Sequence, residues 1–333
     1  MRYLTVTDFG SFLGISSQCL VVKQNGEIIK EIALSHLRGI SIAKSGVSIS
    51  ADLIQACANR GIKIFFLDFR SRVISAVIGQ NQHATVALRK SQFNFISNDS
   101  SCFELSKEFV LTKVRNQRAV LLYFSKYLHN DVNDKYQYLM FNIRKINSLI
   151  EQIKGLHFNE YRNWRNSLLG LEGLSARFYF ETLANTSLFP DDFIKREGRY
   201  ASSITNQSLN WSYAILESYV WQALDNAGLE VFAGIYHTDR PGKPSLVLDL
   251  MEEYRAWVVD RNLIKLRDML SSYSCLNSKL KIVLTNTVHQ TMQTKYPYNN
   301  KKVKLENILQ RQAYKLAGAI SGSNKYKGYI FKW

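Results

Sequence analysis

Glu172 is the first residue of this 333-residue sequence whose surroundings suit chemistry. It stands in an otherwise apolar helical segment, residues 170–180, close to two glycines that let a ligand or another backbone approach. A carboxylate on an apolar face needs a partner, because an unpaired buried charge is very costly. A metal ion would supply that partner, and so would Arg177 or a lysine elsewhere in the chain. The segment alone leaves both possibilities open.

His237 is the second candidate, and it follows a glycine-containing turn in residues 234–240. None of the other five histidines has such a context. Imidazole is a common ligand for manganese, zinc and iron. A lone histidine in a loop is also often structural, so this residue by itself does not define a site.

A third feature is the acidic cluster formed by Asp249, Glu252 and Glu253, whose spacing places them on one face of a helix. Carboxylates this close repel each other unless a cation or a proton lies among them. The structural alternative is a solvated acidic face paired with Arg255 and Arg261. Oxygen ligands suit Mg²⁺ and Mn²⁺, and an added imidazole favours Mn²⁺. The spacing does not choose among the three acids.

The composition favours a polyanionic partner, because 43 lysines and arginines face 27 acidic residues, a formal net charge of +16. A basic surface without such a partner is the alternative. With a hard-metal site, the excess charge points to phosphodiester chemistry. The four cysteines have no CxxC spacing and indicate no zinc cluster. No apolar run reaches the roughly 18 residues of a membrane span, and the N-terminus has the pattern of a strand, so we predict a cytoplasmic protein without a membrane partner.

The elements that must position these residues change character along the chain. Period-two patterns predict strands at residues 3–6, 12–15, 19–23, 27–32, 40–42, 63–67 and 73–78. Asn25-Gly26 predicts a hairpin turn, and Ser50 predicts the N-cap of a helix over residues 51–60 that Gly61 ends. Longer periodicities predict helices at residues 84–96, 104–128, 134–154, 159–183, 203–226, 245–272 and 304–320.

The predicted fold class is therefore α+β. A small, mostly-β N-terminal domain covers residues 1–80, and a larger all-α domain covers residues 81–333 with all the candidate residues. The boundary is expected near residues 79–83.

Several separated motifs follow in a fixed order along almost the whole chain. They are residues 9–14, 46–50, 113–117, 172–180, 206–213 and 237–255, with an aromatic ending at Tyr326 and Trp333. The most specific one ends in Leu-Asp-Leu-Met-Glu-Glu-Tyr-Arg, residues 248–255. In these motifs the sequence resembles the CRISPR-associated adaptation integrases, the "Cas one" family. One departure is Ile204-Thr205, where that family often has an aspartate before the asparagine matched by Asn206.

The resemblance implies a metal site of Glu172, His237 and Glu252, which would bind Mg²⁺ or Mn²⁺. In the family the third ligand is the acid three residues after the aspartate, which selects Glu252 and puts Asp249 beside the ligands, together with Tyr213. The implied reaction inserts prespacer DNA into a CRISPR array by attack of 3′-hydroxyl ends on repeat phosphodiesters. It needs no ATP, which fits the absence of a GxxxxGK[ST] loop.

The resemblance also implies partners. They are double-stranded DNA (prespacer and repeat), a second copy of the chain joined through the N-terminal domain, and a "Cas two" dimer that bridges two homodimers. Tyr213 and Tyr236 are expected to orient the attacking hydroxyl or water. The basic, tyrosine-rich residues 295–304 are interpreted as a mobile solvated loop, with DNA or partner binding as the alternative. The predicted DNA-binding cations are Lys195, Arg196, Arg199, Arg240, Lys243, Arg255 and Arg261.

Three alternatives remain at this point. One is a metal-dependent nuclease that acts on branched DNA in repair. Another is a metal-independent strand transferase, because His237-x-x-Arg240 is similar to a pattern in tyrosine recombinases; Tyr254 or Tyr273 would then be the nucleophile. The third is a DNA-binding scaffold without catalytic activity.

Overall fold

The computed structural model of the chain describes residues 2–68, 73–77, 79, 86–128, 134–158, 163–198 and 200–332. Its N-terminal part is rich in strands, and helices dominate the remainder, as the predicted fold class requires. The N-terminal elements are β1 (Arg2–Val6), β2 (Phe12–Ser16), β3 (Cys19–Gln24), β4 (Glu27–Ala33), β5 (Leu37–Ile42), β6 (Ser48–Ile49), α1 (Ala51–Asn59), β7 (Lys63–Leu67) and β8 (Val73–Val77).

These strands form two four-stranded sheets, with the orders β1-β5-β7-β8 and β4-β3-β2-β6. Strands β1, β5 and β7 run parallel, and β8 is antiparallel to β7. The local signals acted as predicted. Asn25 and Gly26 both have positive φ at the β3–β4 turn, and Ser50 Oγ accepts the backbone N–H of Leu53 at the start of α1.

The helical part contains α2 (Val86–Ile96), α3 (Asp99–Leu128), α4 (Asp134–Gly155), α5 (Trp164–Asn185), α6 (Ile204–Asn226), α7 (Ser245–Arg255), α8 (Arg261–Lys265), α9 (Arg267–Leu270), α10 (Ser278–Gln293) and α11 (Leu305–Ile320). Most predicted helices are confirmed, although residues 84–85 and 159–162 lie outside those described. None of the described helices is long and apolar enough to span a membrane.

The prediction of one continuous helix over residues 245–272 is wrong. Helix α7 leads into a π-helical turn, Ala256–Asp260, which α8 and the short α9 follow. A π turn inserts an extra residue into the helical ladder and re-aims the side chains beyond it. Arg255 and Arg261 therefore do not continue one regular helical face.

The interpretation of residues 295–304 as a mobile loop is also wrong. They form an antiparallel hairpin of β9 (Lys295–Tyr298) and β10 (Lys301–Lys304), so the helical part is not purely α. Period-two alternation buries Tyr296 and Tyr298 on one face. The two residues between the strands, 299 and 300, are asparagines with positive φ, a turn signal that was present in the sequence.

The apolar core has two parts. One cluster lies entirely among the N-terminal strands and α1, and the other joins the helices to β7 through residues such as Phe65 and Leu67. The domain boundary near residue 80 stays a prediction, because residues 80–85 lie outside those described.

Helix α3 is the element around which the candidate residues gather. It packs against α4, α5 and α7, and α7 also packs against α6. Asn116 of α3 donates to the carbonyls of Glu253 on α7 (2.7 Å) and Tyr329 near the chain end (2.9 Å). Buried amide bonds of this kind fix the register between α3 and α7.

Candidate metal centre

Lys113 of α3 joins the two acids that the sequence analysis singled out. Its Nζ lies 2.6 Å from Glu172 Oε1 on α5 and 2.8 Å from Glu252 Oε2 on α7. Only 14% of the lysine side chain is exposed. Burial disfavours its charged form, but Glu252 and Glu172 outweigh burial and raise the pKa of Lys113. The two carboxylates, distant in sequence, thus meet at one ammonium group.

Glu252 has a pKa that its charged neighbours shift strongly. Burial raises the pKa of Glu252, but Arg255, 2.8 Å away, and Lys113 outweigh burial and lower the pKa to about 2. Its Oε2 has the ion-pair contact with Lys113 but no hydrogen bond to any described residue. A buried, ionised oxygen with an unused lone pair favours binding of a further cation.

Glu172 is held from the other side by Tyr236, whose hydroxyl donates to Glu172 Oε2 at 2.6 Å. Burial, with Glu172 next in importance, raises the pKa of Tyr236, so the phenol remains a donor. Arg165 of α5 donates to the carbonyls of Ile235 (3.1 Å) and Tyr236 (2.5 Å) and so fixes this loop against α5.

Asp249 positions His237. The backbone N–H groups of Ile235 and Tyr236 donate to its Oδ2 at 2.7 and 3.0 Å, and the N–H of His237 donates to Oδ1 at 2.9 Å. His237 Nδ1 lies 2.6 Å from the same Oδ1. Because a carboxylate only accepts, Nδ1 carries the hydrogen, and the lone pair of Nε2 is available to a metal.

The turn before His237 requires glycine at position 234. A Cβ there would collide with the carbonyl oxygen of His237 and the side chain of Ser245. The Gly234 N–H also donates to Asp239 Oδ1 at 2.9 Å, which closes the turn. The glycine context that drew attention to His237 is therefore a packing requirement that sets the histidine's position.

Tyr213 is connected to the acidic pair by Arg255, which contacts both the Tyr213 ring and Glu252. Its hydroxyl donates to buried Asp260 at 2.5 Å, and the guanidinium of Arg255 lies 4.9 Å from its ring centroid. Arg196 lies over the same ring and also donates to Asn206 and Asn210. Burial raises the pKa of Asp260 to about 6, although Tyr213 opposes it. This network holds Arg255 against Glu252.

The chemical types of the candidate ligands suit a hard divalent ion. They offer carboxylate oxygens of Glu172 and Glu252 and the imidazole nitrogen of His237, whose other nitrogen is held by Asp249. Three ligating side chains do not converge on one point in the described chain, because Lys113 stands between the two glutamates. The triad assignment thus stays a prediction, and binding would require the ammonium to move aside.

The predicted DNA-binding cations fall into different places. Lys195 is exposed, and Arg199 lies outside the described residues. The backbones of Arg240 and Lys243 form an antiparallel β-bridge across a tight turn after His237. Burial and the neighbouring Arg240 lower the pKa of Lys243. Arg261 lies in a separate cavity. A role in DNA binding stays a prediction for all of them.

The tyrosine-recombinase alternative requires Tyr254 or Tyr273 as the nucleophile. Tyr254 is fully buried, and burial raises its pKa well above the usual value, which opposes a nucleophilic role. Tyr273 is partly exposed and follows α9, whereas the candidate acids lie on α5 and α7.

Lys113 is the residue that the sequence analysis did not single out, although it lies in one of the family motifs. The sequence feature that could have indicated Lys113 is a charged side chain between apolar residues of a predicted helix, in the segment Leu-Thr-Lys-Val at residues 111–114. Arg177, the partner considered for Glu172, instead forms an exposed pair with Glu181. Thr205, which precedes Asn206 in the segment where the family often has an aspartate, donates its backbone N–H to Asp192 at 3.0 Å.

Comparisons with known proteins agree with this architecture. A sequence model of the family described as CRISPR associated protein Cas1 matches residues 4–297. The chain is 45% identical over 333 residues, the full length of both proteins, to a protein of Francisella tularensis subsp. novicida named CRISPR-associated endonuclease Cas1 1.

Two solved structures share the fold. One is a casposase bound to an integration product, with a TM-score of 0.83 and 19% identity over 98% of this chain and 93% of that one. The other is a chain of a Cas6-RT-Cas1–Cas2 complex, with a TM-score of 0.78 and 20% identity over 99% of this chain and 36% of that one.

Proposed function

The chain belongs to the Cas1 family of CRISPR-associated endonucleases and integrases, and from that premise we propose that it is a metal-dependent DNA integrase of CRISPR adaptation. The reaction we assign to it joins the 3′-hydroxyl ends of a prespacer to phosphodiesters of the CRISPR repeat. The casposase of the same fold was solved with an integration product, which supports strand joining as the reaction class.

The observation that carries the proposal is the pair Glu172 and Glu252 on one ammonium group, with the Nε2 of His237 left available by Asp249. We assign Mg²⁺ or Mn²⁺ to these three side chains. When bound, the ion supplies a Lewis acid that stabilises the charge developing on the phosphoryl, attacking and departing oxygens.

The chain's own residues position the reactants. Tyr236 and Arg165 hold Glu172 and the His237 loop in place, and Arg255 restrains Glu252. We assign to Arg240 and Lys243, which follow His237 in the same turn region, contacts with the DNA backbone that do not read its sequence. The prespacer 3′-oxygen bonds to phosphorus and loses its proton, while the bond from phosphorus to the repeat 3′-oxygen breaks and that oxygen gains a proton. The number of phosphodiester bonds is unchanged, so no nucleotide triphosphate is consumed.

The partners we assign are double-stranded DNA, a second copy of the chain and a Cas2 dimer. The net charge of +16 supports the first. The complex named Cas6-RT-Cas1–Cas2, which contains a chain of the same fold, supports the last. We assign the contact between copies to the N-terminal strands, residues 1–80.

Hydrolysis is a second candidate activity, because the 45% identical relative is named an endonuclease. Water would then take the place of the 3′-hydroxyl at the same metal centre. Branched DNA is a suitable test substrate, since cutting without joining would distinguish this activity from integration.

A strand-transfer assay tests the proposal. Labelled prespacer, a plasmid with a CRISPR repeat, Cas2 and Mn²⁺ are incubated with wild type, Glu172→Gln, His237→Ala or Glu252→Gln. Because each change removes a proposed ligand, we expect a loss of about 10³-fold or more, with DNA binding largely retained.

Glu181→Gln is the matched control, since Glu181 lies on the same helix as Glu172 in an exposed ion pair. Full activity of any one ligand variant in Mn²⁺ would refute the triad. Activity that persists in excess EDTA, with a covalent protein–DNA adduct, would instead favour the tyrosine mechanism.

A further inference from the structure

A cavity of about 520 Å³ opens between the segment after α7, helix α10, the β9–β10 hairpin and the end of the chain. None of the residues that contact Glu172, His237 or Glu252 lines it. The described lining residues are Tyr123, Trp257, Arg261, Asn262, Lys265, Thr287, Gln290, Thr291, Thr294, Lys295, Tyr296, Pro297, Lys302 and Lys332.

The charges of this lining are all of one sign. Five cations line the cavity, and none of the described lining residues is acidic. Burial and the neighbouring Arg261 lower the pKa of Lys265, a sign of crowded positive charge. Like charges held together without counter-charges favour an anion in the space between them. Within the described chain, none of these cations forms an ion pair: Arg261, Lys265, Lys295, Lys302 and Lys332.

Arg261 is the buried cation of the cavity lining. It is only 9% exposed, and its guanidinium lies 4.4 Å from the ring centroid of Trp257. One nitrogen donates to the hydroxyl of Tyr296 at 3.3 Å, while Nε has no hydrogen-bond partner among the described residues. A buried guanidinium with unused N–H donors is suited to a phosphate or carboxylate oxygen.

The surrounding chemistry decides between phosphate and nucleobase. The aromatic side chains of Trp257 and Tyr296 are 1% and 7% exposed, so neither offers an open face on which a base can stack. The partly exposed ring of Tyr123 already contacts two of the cations, Arg261 and Lys265, at 6.0 and 5.3 Å from its centroid. The accessible groups are lysine ammonium groups around the arginine and the polar side chains of α10. Such a lining binds backbone oxygens and leaves the base sequence unread.

We propose that this cavity binds the phosphodiester backbone of a DNA strand, at a site separate from the metal centre. The inference rests on the proposed function in that the chain must bind DNA. The cavity would hold the substrate at a second point and fix its angle relative to the metal centre, which positions the reacting phosphate.

The test compares two triple variants that lose the same charge. The first is Lys265→Gln, Lys302→Gln and Lys332→Gln, which changes three exposed lysines of the cavity lining. The control is Lys279→Gln, Lys301→Gln and Lys325→Gln, exposed lysines outside the lining. Lys301 and Lys302 are neighbours on β10 that point to opposite faces, which makes the pair a close match. Equal melting temperatures will show that both variants fold.

Binding of a fluorescein-labelled DNA duplex by the full chain is then measured by anisotropy over a range of salt concentrations. Each lost phosphate contact lowers the slope of log K against log salt by about 0.9. We expect a drop of about 2–3 in slope for the cavity variant and less than about 1 for the control. Equal drops, or no drop in either, would overturn the proposal.

A Glu252→Gln chain in the same assay separates the two proposals. It should keep the wild-type salt slope, because Glu252 does not line the cavity. If strand transfer is absent in the wild type while the two triple variants still differ in slope, the integrase assignment fails and the DNA-binding cavity stands.

Discussion

Lys63 and Lys113 both bind carboxylates with little exposure to solvent, and their surroundings differ. Lys63 of β7 is 4% exposed and pairs with Asp225 of α6, and its Nζ also donates to Asn226 Oδ1 (3.1 Å) and the Gln222 carbonyl (3.3 Å). Lys113 is 14% exposed and faces two glutamates. The first lysine has one acid and two neutral acceptors, whereas the second bridges two acids, one of which, Glu252, also pairs with Arg255.

The pKa directions follow from that difference. Burial lowers the pKa of Lys63 even though Asp225 opposes it, whereas Glu252 and Glu172 overcome burial and raise the pKa of Lys113. The Lys63 pair therefore acts as a cross-link between the N-terminal sheet and α6. The Lys113 cluster, which holds two carboxylates on one ammonium group, is suited to exchange that ammonium for a metal. A lysine that bridges two carboxylates brings together oxygens that a divalent ion can bind, whereas a lysine paired with one carboxylate does not.

Lys63→Met should have the largest effect on stability. It leaves Asp225, 7% exposed, as a buried charge without its cation, which costs about 3–5 kcal/mol. Urea unfolding followed by circular dichroism measures the loss, and Mn²⁺ should not restore it. Asp225→Asn added to Lys63→Met should recover most of the stability. Recovery by Mn²⁺ alone would mean that the two lysine sites are not different in kind.

Lys113→Met should have a smaller effect that metal reverses. Without the ammonium, Glu172 and Glu252 repel across the site, so the metal-free chain should lose about 2–3 kcal/mol. Mn²⁺ at 100 times its dissociation constant should return about 2.7 kcal/mol. The measurement is the melting temperature with and without Mn²⁺. A loss that Mn²⁺ leaves unchanged would show that Lys113 is a structural cross-link like Lys63.

His289→Gln should have the smallest effect, and only in acid. His289 of α10 contacts Tyr219 (2.8 Å) and Thr5 of β1 (3.4 Å), at the same junction of sheet and helices as Lys63. Burial, with help from Lys30, lowers the pKa of His289 to about 4. Its contribution to stability is therefore complete above pH 6.5 and is lost as the pH falls through 4.

Between those pH values the wild type should lose about 2 kcal/mol more than the variant, by urea unfolding. Equal losses would show that His289 is protonated in the folded chain, and that this junction is more polar than the Lys63 contacts indicate.

The sequence predicted the N-terminal strands well, because their signals are local. Asn25-Gly26, Ser50 and Gly61 each act within a few residues of themselves. The hairpin after α10 was not predicted although Asn299-Asn300 carries a similar local signal, because the lysines at 295, 301, 302 and 304 are typical of a solvated loop. The π turn after α7 has no periodicity that distinguishes it from a continuing helix.

For the candidate site, a family resemblance selected the two glutamates that meet at Lys113, and their assignment with His237 to one metal ion stays a prediction. The sequence left Lys113 unassigned, because the meeting of α3, α5 and α7 is a tertiary feature. Spacing likewise did not distinguish Glu253 from Glu252. The structure shows that Glu253 faces the other way, where the Tyr326 hydroxyl donates to its carboxylate at 2.8 Å.

Calorimetric titration of the full chain with Mn²⁺ tests whether Glu172, His237 and Glu252 form a divalent-metal site. We expect one ion per chain for the wild type and for Glu181→Gln. For Glu172→Gln, His237→Ala and Glu252→Gln we expect binding at least about 10-fold weaker, since each removes a ligand. Unchanged Mn²⁺ affinity in these variants would show that the three side chains do not bind the ion.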